Sequence, residues 1–192
     1  MSKRVLVLVG NPKDKSFSNH LAKVYVNAAE KHCEVRLFRL CDMQFNPDLA
    51  VGYHDKQALE PCLLAFQQAL VWSEHLVIIT PIWWGAIPAK LKGLFDRTLL
   101  PNFAFKYQAG KSIPIKLLKG KTSRLIMTMD TPPWYYWLVQ GAPALKQLKT
   151  ATLAFCGFKS VKSNMLGPII NSSEAARDKW IKAIAQLGRA AE

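Results

Sequence analysis

Acidic residues are scarce in this chain. Asp and Glu number 13 against 26 Lys and Arg, which gives a formal net charge of +13 at pH 7. Such a surplus favours anionic partners: phosphorylated cofactors, nucleic acid or acidic lipid. Cysteine is also sparse. Cys33, Cys41, Cys62 and Cys156 form no CxxC pair and share no ligand spacing with the four histidines. A disulfide framework and a structural zinc site are therefore excluded, and no metal is expected. No run approaches the roughly 20 apolar residues that a membrane span needs. The opening MSKRVLVLVGNPKDKS has too short an apolar run for a secretory leader and no small-residue cleavage site. The expectation is a cytoplasmic protein without stable membrane insertion. GxGxxG and GxxxxGK[ST] are both missing, which removes the dinucleotide fingerprint and the nucleotide-hydrolysing P-loop. Signatures of nucleic-acid modules are missing too. The basic residues from Lys3 to Arg189, densest from Lys106 to Arg124, are read as solvated surface, and no nucleic-acid partner is expected.

What the chain does contain is ordered alternation. Val5 to Val9 is a continuous apolar run of the kind buried on both faces of a parallel sheet. Helical spacing follows from Phe17 to about Glu30. Glu34 to Phe38 alternates as a second strand. A helix is expected over Asp55 to Trp72, a buried strand over Leu76 to Thr80, and a helix over Ile87 to Leu100 opened by Pro88. Arg124 to Thr128 reads as a fourth strand, Ala142 to about Phe155 as a helix closed by Gly157, and Ser160 to Leu166 as a fifth strand. Asn171, Ser172 and Ser173 offer caps for a final helix. Five strands alternating with five helices imply a parallel sheet with helices on both faces. There is no internal repeat and no dividing linker, so one domain over residues 1–192 is expected.

Sheets of this kind hold ligands beyond the carboxyl ends of their strands. Three unusual segments fall there. Gly10 to Asn19 joins the first strand to the first helix, where free amides, the helix dipole and Ser16, Ser18 and Asn19 suit a phosphate. An ordinary loop with a serine cap accounts for it equally well. Pro81-Ile82-Trp83-Trp84-Gly85 follows the third strand, and two consecutive indoles at a strand end suit the wall of a flat aromatic ligand. Thr128 to Trp137 follows the fourth strand. It combines hydroxyls at Thr128 and Thr131 with the dense aromatic run Trp134, Tyr135, Tyr136 and Trp137, too apolar for an uncovered loop.

At these segments the sequence resembles the flavodoxin-like NAD(P)H:quinone oxidoreductase family over most of its length. The strongest part is PIWWGAIPAKLKGLFDRTLLPNFAFKY, similar to the family's P-x-x-W-x-x-x-P-A-x-L-K-G-x-x-D-R followed by an F-A-F element. GNPKDKSFSNHLA resembles its first flavin loop and GKTSRLIMTMD its fourth strand. The resemblance implies a flavodoxin-like three-layer α/β fold with a five-stranded parallel sheet in the order 2-1-3-4-5. It implies a flavin, with FMN favoured and FAD the alternative. NAD(P)H is the implied co-substrate, a quinone or similar flat electrophile the acceptor, and ping-pong hydride transfer the mechanism. Ser16, Phe17, Ser18 and Asn19 would hold the flavin phosphate. Pro81, Ile82, Trp83, Trp84 and Gly85 would line the ring, with Gln67, Thr128, Asp130 and Thr131 as further contacts. Tyr136 stands at the spacing of a catalytic tyrosine. Phe105 and Trp134 would wall the substrate slot. A homodimer is implied, with the apolar loop from Trp134 and the segment Asn102 to Phe105 covered at the interface.

One departure stands out. Relatives often carry T-T-G-G after the fourth strand, whereas this chain has Thr128-Met129-Asp130-Thr131-Pro132-Pro133. The loop must take another shape, and Asp130 brings a carboxylate to it. Both bear on flavin affinity, redox potential and acceptor choice. Two other readings remain open: a flavin-binding ancillary subunit of a membrane transport system, and a basic nucleic-acid-binding domain, which leaves PIWWG unexplained.

Overall fold

The computed structural model describes residues 2–53 and 55–192; Met1 and His54, within the expected domain 1–192, lie outside the described residues. The chain runs β1 (Lys3–Val9), α1 (Phe17–Ala29), β2 (Cys33–Arg39), α2 (Pro61–Trp72), β3 (His75–Pro81), α3 (Ala89–Thr98), β4 (Phe105–Gln108), β5 (Lys111–Lys116), β6 (Thr122–Thr128), α4 (Pro133–Leu138), α5 (Pro143–Lys146), a π-helical stretch (Gln147–Ala154), β7 (Ser160–Leu166) and α6 (Glu174–Ala190). The main sheet is parallel in the order β2-β1-β3-β6-β7. With β4 and β5 set aside as a separate hairpin, this is the expected order 2-1-3-4-5.

Alternation within the apolar runs builds two cores. Val5, Val7 and Val9 face α1 and α6, together with Val77, Ile79 and Ile126. Leu6 and Leu8 face the other way, against Phe66 and Leu70 of α2 and Leu91 and Leu94 of α3. Gly188 lets α6 lie on α1, since a Cβ there would stand 2.5 Å from the Tyr25 carbonyl oxygen. Among the described residues no helix is long and apolar enough to cross a membrane.

Three elements differ from expectation. The helix expected from Asp55 starts at Pro61. Glu60, the residue before the proline, is extended, as pre-proline sterics favour. The segment ahead of it is held instead by Arg97, which is buried in α3. Its guanidinium donates to the carbonyls of Asn46 and Ala58 and pairs with Glu60 at 2.9 Å. The stretch from Lys106 to Lys116, read only as basic surface, forms the β4–β5 hairpin, turning at Ala109 and Gly110, whose φ is +74°. The aromatic loop contains a short helix, α4.

Arg97→Met strands the Glu60 carboxylate and two carbonyls. The expected loss is roughly 3 kcal/mol, at the low end for a broken buried pair because Glu60 keeps some water. Urea unfolding with an unchanged m-value checks it. A second expectation concerns His75, buried in β3. Burial, reinforced by Lys3 and Arg124, pushes its imidazole down to about 3. The unfolded chain therefore binds a proton below about pH 6.5 that the folded chain refuses. Stability is fully present above that pH and falls, by on the order of a few kcal/mol, as pH drops from there towards 3. Unfolding measured from pH 7 to 4 should show this slope, and His75→Gln should flatten it.

Candidate active site

Three loops leave the carboxyl ends of β1, β3 and β6, which are neighbours in the sheet. The hydrogen-bond ladder continues past the strands into each. Gly10 N–H donates to Ile79 O at 2.8 Å, Ile82 N–H to Thr128 O at 2.8 Å, and Met129 N–H to Leu166 O at 2.9 Å. The start of each loop is thereby fixed to the neighbouring strand.

The first loop is shaped by its own polar side chains. Asn11 Oδ1 accepts from Lys13 N–H, and the Asn19 side-chain amide reaches Lys13 O, Asp14 O and Ser16 Oγ. Ser16 caps α1 by accepting from Asn19 N–H. Ser18 is buried, and Phe17 packs on His20 and Trp180. Of the four residues expected at a phosphate, Asn19 is thus spent on the loop. What the helix start offers outward is its first amides, which have no carbonyl one turn back. Beside them lies a hollow of about 340 Å³ bearing Lys15, His20, Lys23 and Arg39. Arg39 pairs there with Asp14. Sequence reasoning missed this hollow. The signal was available, because β2 neighbours β1 and Arg39 ends β2.

The second loop is a two-residue reversal. Trp83 and Ala86 exchange both backbone hydrogen bonds at 2.9 Å, and Trp84 (φ 51°) and Gly85 (φ 75°) both have positive φ. This is the pattern of a type I′ turn, which suits Gly85 but costs about 1–2 kcal/mol at a residue with a Cβ. Trp84 pays that cost while its side chain is fully exposed, and Trp83 is about half exposed. A strained, uncovered indole at a sheet's ligand edge is not explained by core packing.

In the third loop Thr128 is buried and Thr131 half-buried. Asp130 does not stand free, since its Oδ1 accepts from Ile170 N–H at 2.9 Å. Ile169 N–H donates to Met129 O, so the loop is sewn to the segment between β7 and α6. Tyr136, on α4, is wholly buried. Its hydroxyl donates to Gly85 O at 3.1 Å and accepts from Ala144 N–H at 2.9 Å. Burial raises its pKa, against which the amides of Ala144 and Leu145 act. Here the tyrosine is a clamp joining α4, α5 and the tryptophan turn. Trp134 is exposed on the same α4.

Two expected residues are not brought to these loops. Gln67, on α2, donates to Thr98 O at 2.8 Å and lines a groove with Leu64, Val71 and Phe103. Phe105 is buried edge-on to Tyr107 and Phe155 beside Asp96 and Leu99, which lie at the far end of α3 from the turn. That helix has ten residues, about 15 Å of rise.

Residues 3–187 match the model of the flavodoxin-like fold family. The chain belongs to that family. Within it, the chain is similar to the NAD(P)H:quinone oxidoreductases. It is 29% identical to the mouse ribosyldihydronicotinamide dehydrogenase [quinone], over 96% of this chain and 90% of that protein. Among solved structures, Smu.1420 from Streptococcus mutans UA159 superposes with a TM-score of 0.83 at 28% identity, covering 97% of this chain and 98% of the other. An NAD(P)H:quinone oxidoreductase from Methanothermobacter marburgensis shares the fold with a TM-score of 0.80 at 21% identity over both full lengths. So does an FMN-dependent NADH-azoreductase from Bacillus anthracis, with a TM-score of 0.73 at 18% identity, covering 100% of this chain and 99% of that one.

Tyr136→Phe leaves the Gly85 carbonyl and the Ala144 amide without their partner. The expected cost is about 1–3 kcal/mol of stability. Denaturant unfolding measures it, and loss of more than that would mark a wider collapse of the clamp.

Proposed function

We propose that this chain is a flavin-dependent NAD(P)H oxidoreductase whose acceptors are quinones or similar flat electrophiles. The observation that carries the reading is the strained, exposed Trp83-Trp84-Gly85 turn, set between the loops after β1 and β6 and held to the third loop by the Tyr136 hydroxyl. The residues fit a flavin: a helix start with free amides at one side, two uncovered indoles, and the buried Thr128 beside the turn. A flavin held there would supply the hydride-transfer chemistry between NAD(P)H and the acceptor, for which ping-pong kinetics are expected. The chain's own residues supply position and electrostatics. The first amides of α1 and the Ser16 end of the loop hold the phosphate. Pro81 to Gly85 flank the ring, and the Trp84 and Gly85 amides are the donors for charge developing on it.

Tyr136 is assigned as a positioning residue, because both hydrogen-bonding capacities of its hydroxyl are used within the chain. Asp130 holds the third loop to residue 170, which replaces the flexibility of the two glycines common in relatives. Trp134 is assigned to the acceptor side. FMN is favoured over FAD, since the hollow beside the first loop is bordered by Lys15, His20, Lys23 and Arg39, which suit a phosphate. A second copy of the chain would cover the apolar row Trp134, Trp137, Leu138 and Val139, all exposed.

The test is a visible spectrum after incubation with FMN and, separately, FAD, followed by desalting. Retained flavin, bleached by NADPH and restored by a quinone, is expected from the FMN sample. Trp84→Ala, which removes a side chain with no contacts to lose, is expected to bind flavin about tenfold more weakly with unchanged thermal stability. Retention from neither sample would overturn the assignment.

A further inference from the structure

The sheet has a second polar end, at the amino edge, and no part of the redox reading uses it. On the face that packs against α1 and α6, the apolar rows stop before that edge. Lys3 precedes Val5 on β1, and His75 precedes Val77 on β3. His75 stands beside Thr122 on β6, and Arg124 stands beside Lys162 on β7. These residues, with Ser160 and Glu192, enclose a cavity of about 210 Å³.

Its charges do not balance. Arg124 and Lys162 share one carboxylate oxygen of Glu192, at 3.0 and 2.8 Å. Lys3 has only the Ala191 carbonyl, at 2.6 Å. Three cations thus border the cavity, and Glu192 is the one carboxylate side chain in its lining. Hydrogen bonding is incomplete as well. His75 Nδ1 meets Thr122 Oγ1 at 2.7 Å, while His75 Nε2 and Arg124 Nε are buried and have no partner among the described residues. Both side chains belong to residues more than nine-tenths buried, at 4% and 7% exposure. Buried polar atoms of this kind are costly unless something pairs with them. Water would satisfy donors but would leave the excess charge in place.

We infer that this cavity is a binding site for a small oxyanion of the phosphate or sulfate type, separate from the carboxyl-edge site. Arg124, Lys162 and Lys3 supply charge, and His75 supplies a neutral donor once Thr122 gives its hydroxyl proton to Nδ1 and leaves the ring proton on Nε2. The surplus of positive charge in the lining favours an anion. Two groups oppose it, the Glu192 carboxylate and the Ala191 carbonyl, both just after α6. An incoming anion competes with them for the same donors, so anion binding is coupled to the docking of residues 191 and 192. The inference stands whether or not the chain binds flavin.

The experiment follows the His75 ring nitrogens by NMR in the full chain. Sodium phosphate, sodium sulfate and glycerol phosphate are titrated separately, with sodium chloride at matched ionic strength as control. A saturable shift towards the Nε2–H form is expected with phosphate and absent with chloride. Tighter binding of glycerol phosphate than of inorganic phosphate would identify a phosphorylated small molecule as the ligand, and the reverse a free ion. Lys162→Ala and Lys3→Ala, both at side chains reaching solvent, are expected to weaken binding about tenfold each, the scale of one lost charge-assisted contact. Glu192→Gln is expected to tighten it. The proposal is overturned by a shift that chloride reproduces, by the absence of a saturable shift, or by lysine variants that bind like the parent chain.

Discussion

The ladder of parallel hydrogen bonds does more here than hold strands together. It runs past the ends of β1, β3 and β6 into the loops that follow, through Gly10, Ile82 and Met129. A strand buried on both faces cannot bend to place a ligand-binding side chain without leaving backbone groups unpaired. The freedom therefore lies beyond the strand, and the ladder limits how far beyond. Three segments distant in sequence become one surface because their backbones are still part of the sheet for one more residue. The spacing between first amides, indoles and threonine is set by strand separation and not by side-chain choice.

Strain and its compensation sit side by side on that surface. The left-handed backbone at Trp84 is unfavourable for any residue with a Cβ. It persists because the turn is held on both sides. Trp83 and Ala86 close it from within, and the Tyr136 hydroxyl pulls on the Gly85 carbonyl from behind. The hydrogen bonds together outweigh the backbone cost, so an apolar side chain can be presented to solvent rather than turned inward. Asp130 acts in the same sense on the next loop. Polar residues that look like ligand contacts in a sequence are here the means by which the ligand-facing backbone is kept in shape.

That distinction marks where the sequence was readable and where it was not. Val5 to Val9 and Leu76 to Thr80 announced their strands because burial on both faces of a sheet leaves a continuous apolar run. Alternation with helices implied a parallel sheet, and the family resemblance implied the order of its strands. Family-specific spacing located the three loops. What no pattern revealed was which acceptor each polar side chain would take. Asn19 and Ser16 read as phosphate donors, yet Asn19 closes the loop beneath the helix start. Gln67 read as a ring contact, but its helix turns it to Thr98. Phe105 sat in a recognisable motif whose carrier, a hairpin, was not anticipated, and the hairpin carries it to the other end of α3. The early helix at Asp55 failed because Glu60 is extended ahead of Pro61 and because Arg97, far along the chain, takes the Ala58 carbonyl and the Glu60 carboxylate. Two causes recur: a polar side chain that closes its own loop, as at Asn19, and contacts between residues remote in sequence, as at Gln67 and Arg97, which periodicity does not encode.

The same logic divides the positive charge. Read as composition, +13 is a property of the whole surface. In the fold it separates into kinds. Lys106, Lys111 and Lys116 lie exposed on or beside the hairpin strands, where water screens them. Arg97 is consumed inside the protein. Lys15, Lys23 and Arg39 border a recess at the carboxyl edge, and Lys3, Arg124 and Lys162 one at the amino edge. Of these Arg124 is buried, and a charge held away from water acts on an anion more strongly than the same charge on open surface. A parallel sheet with its strand ends polar at both edges can thus carry two anion-attracting sites that share no residue.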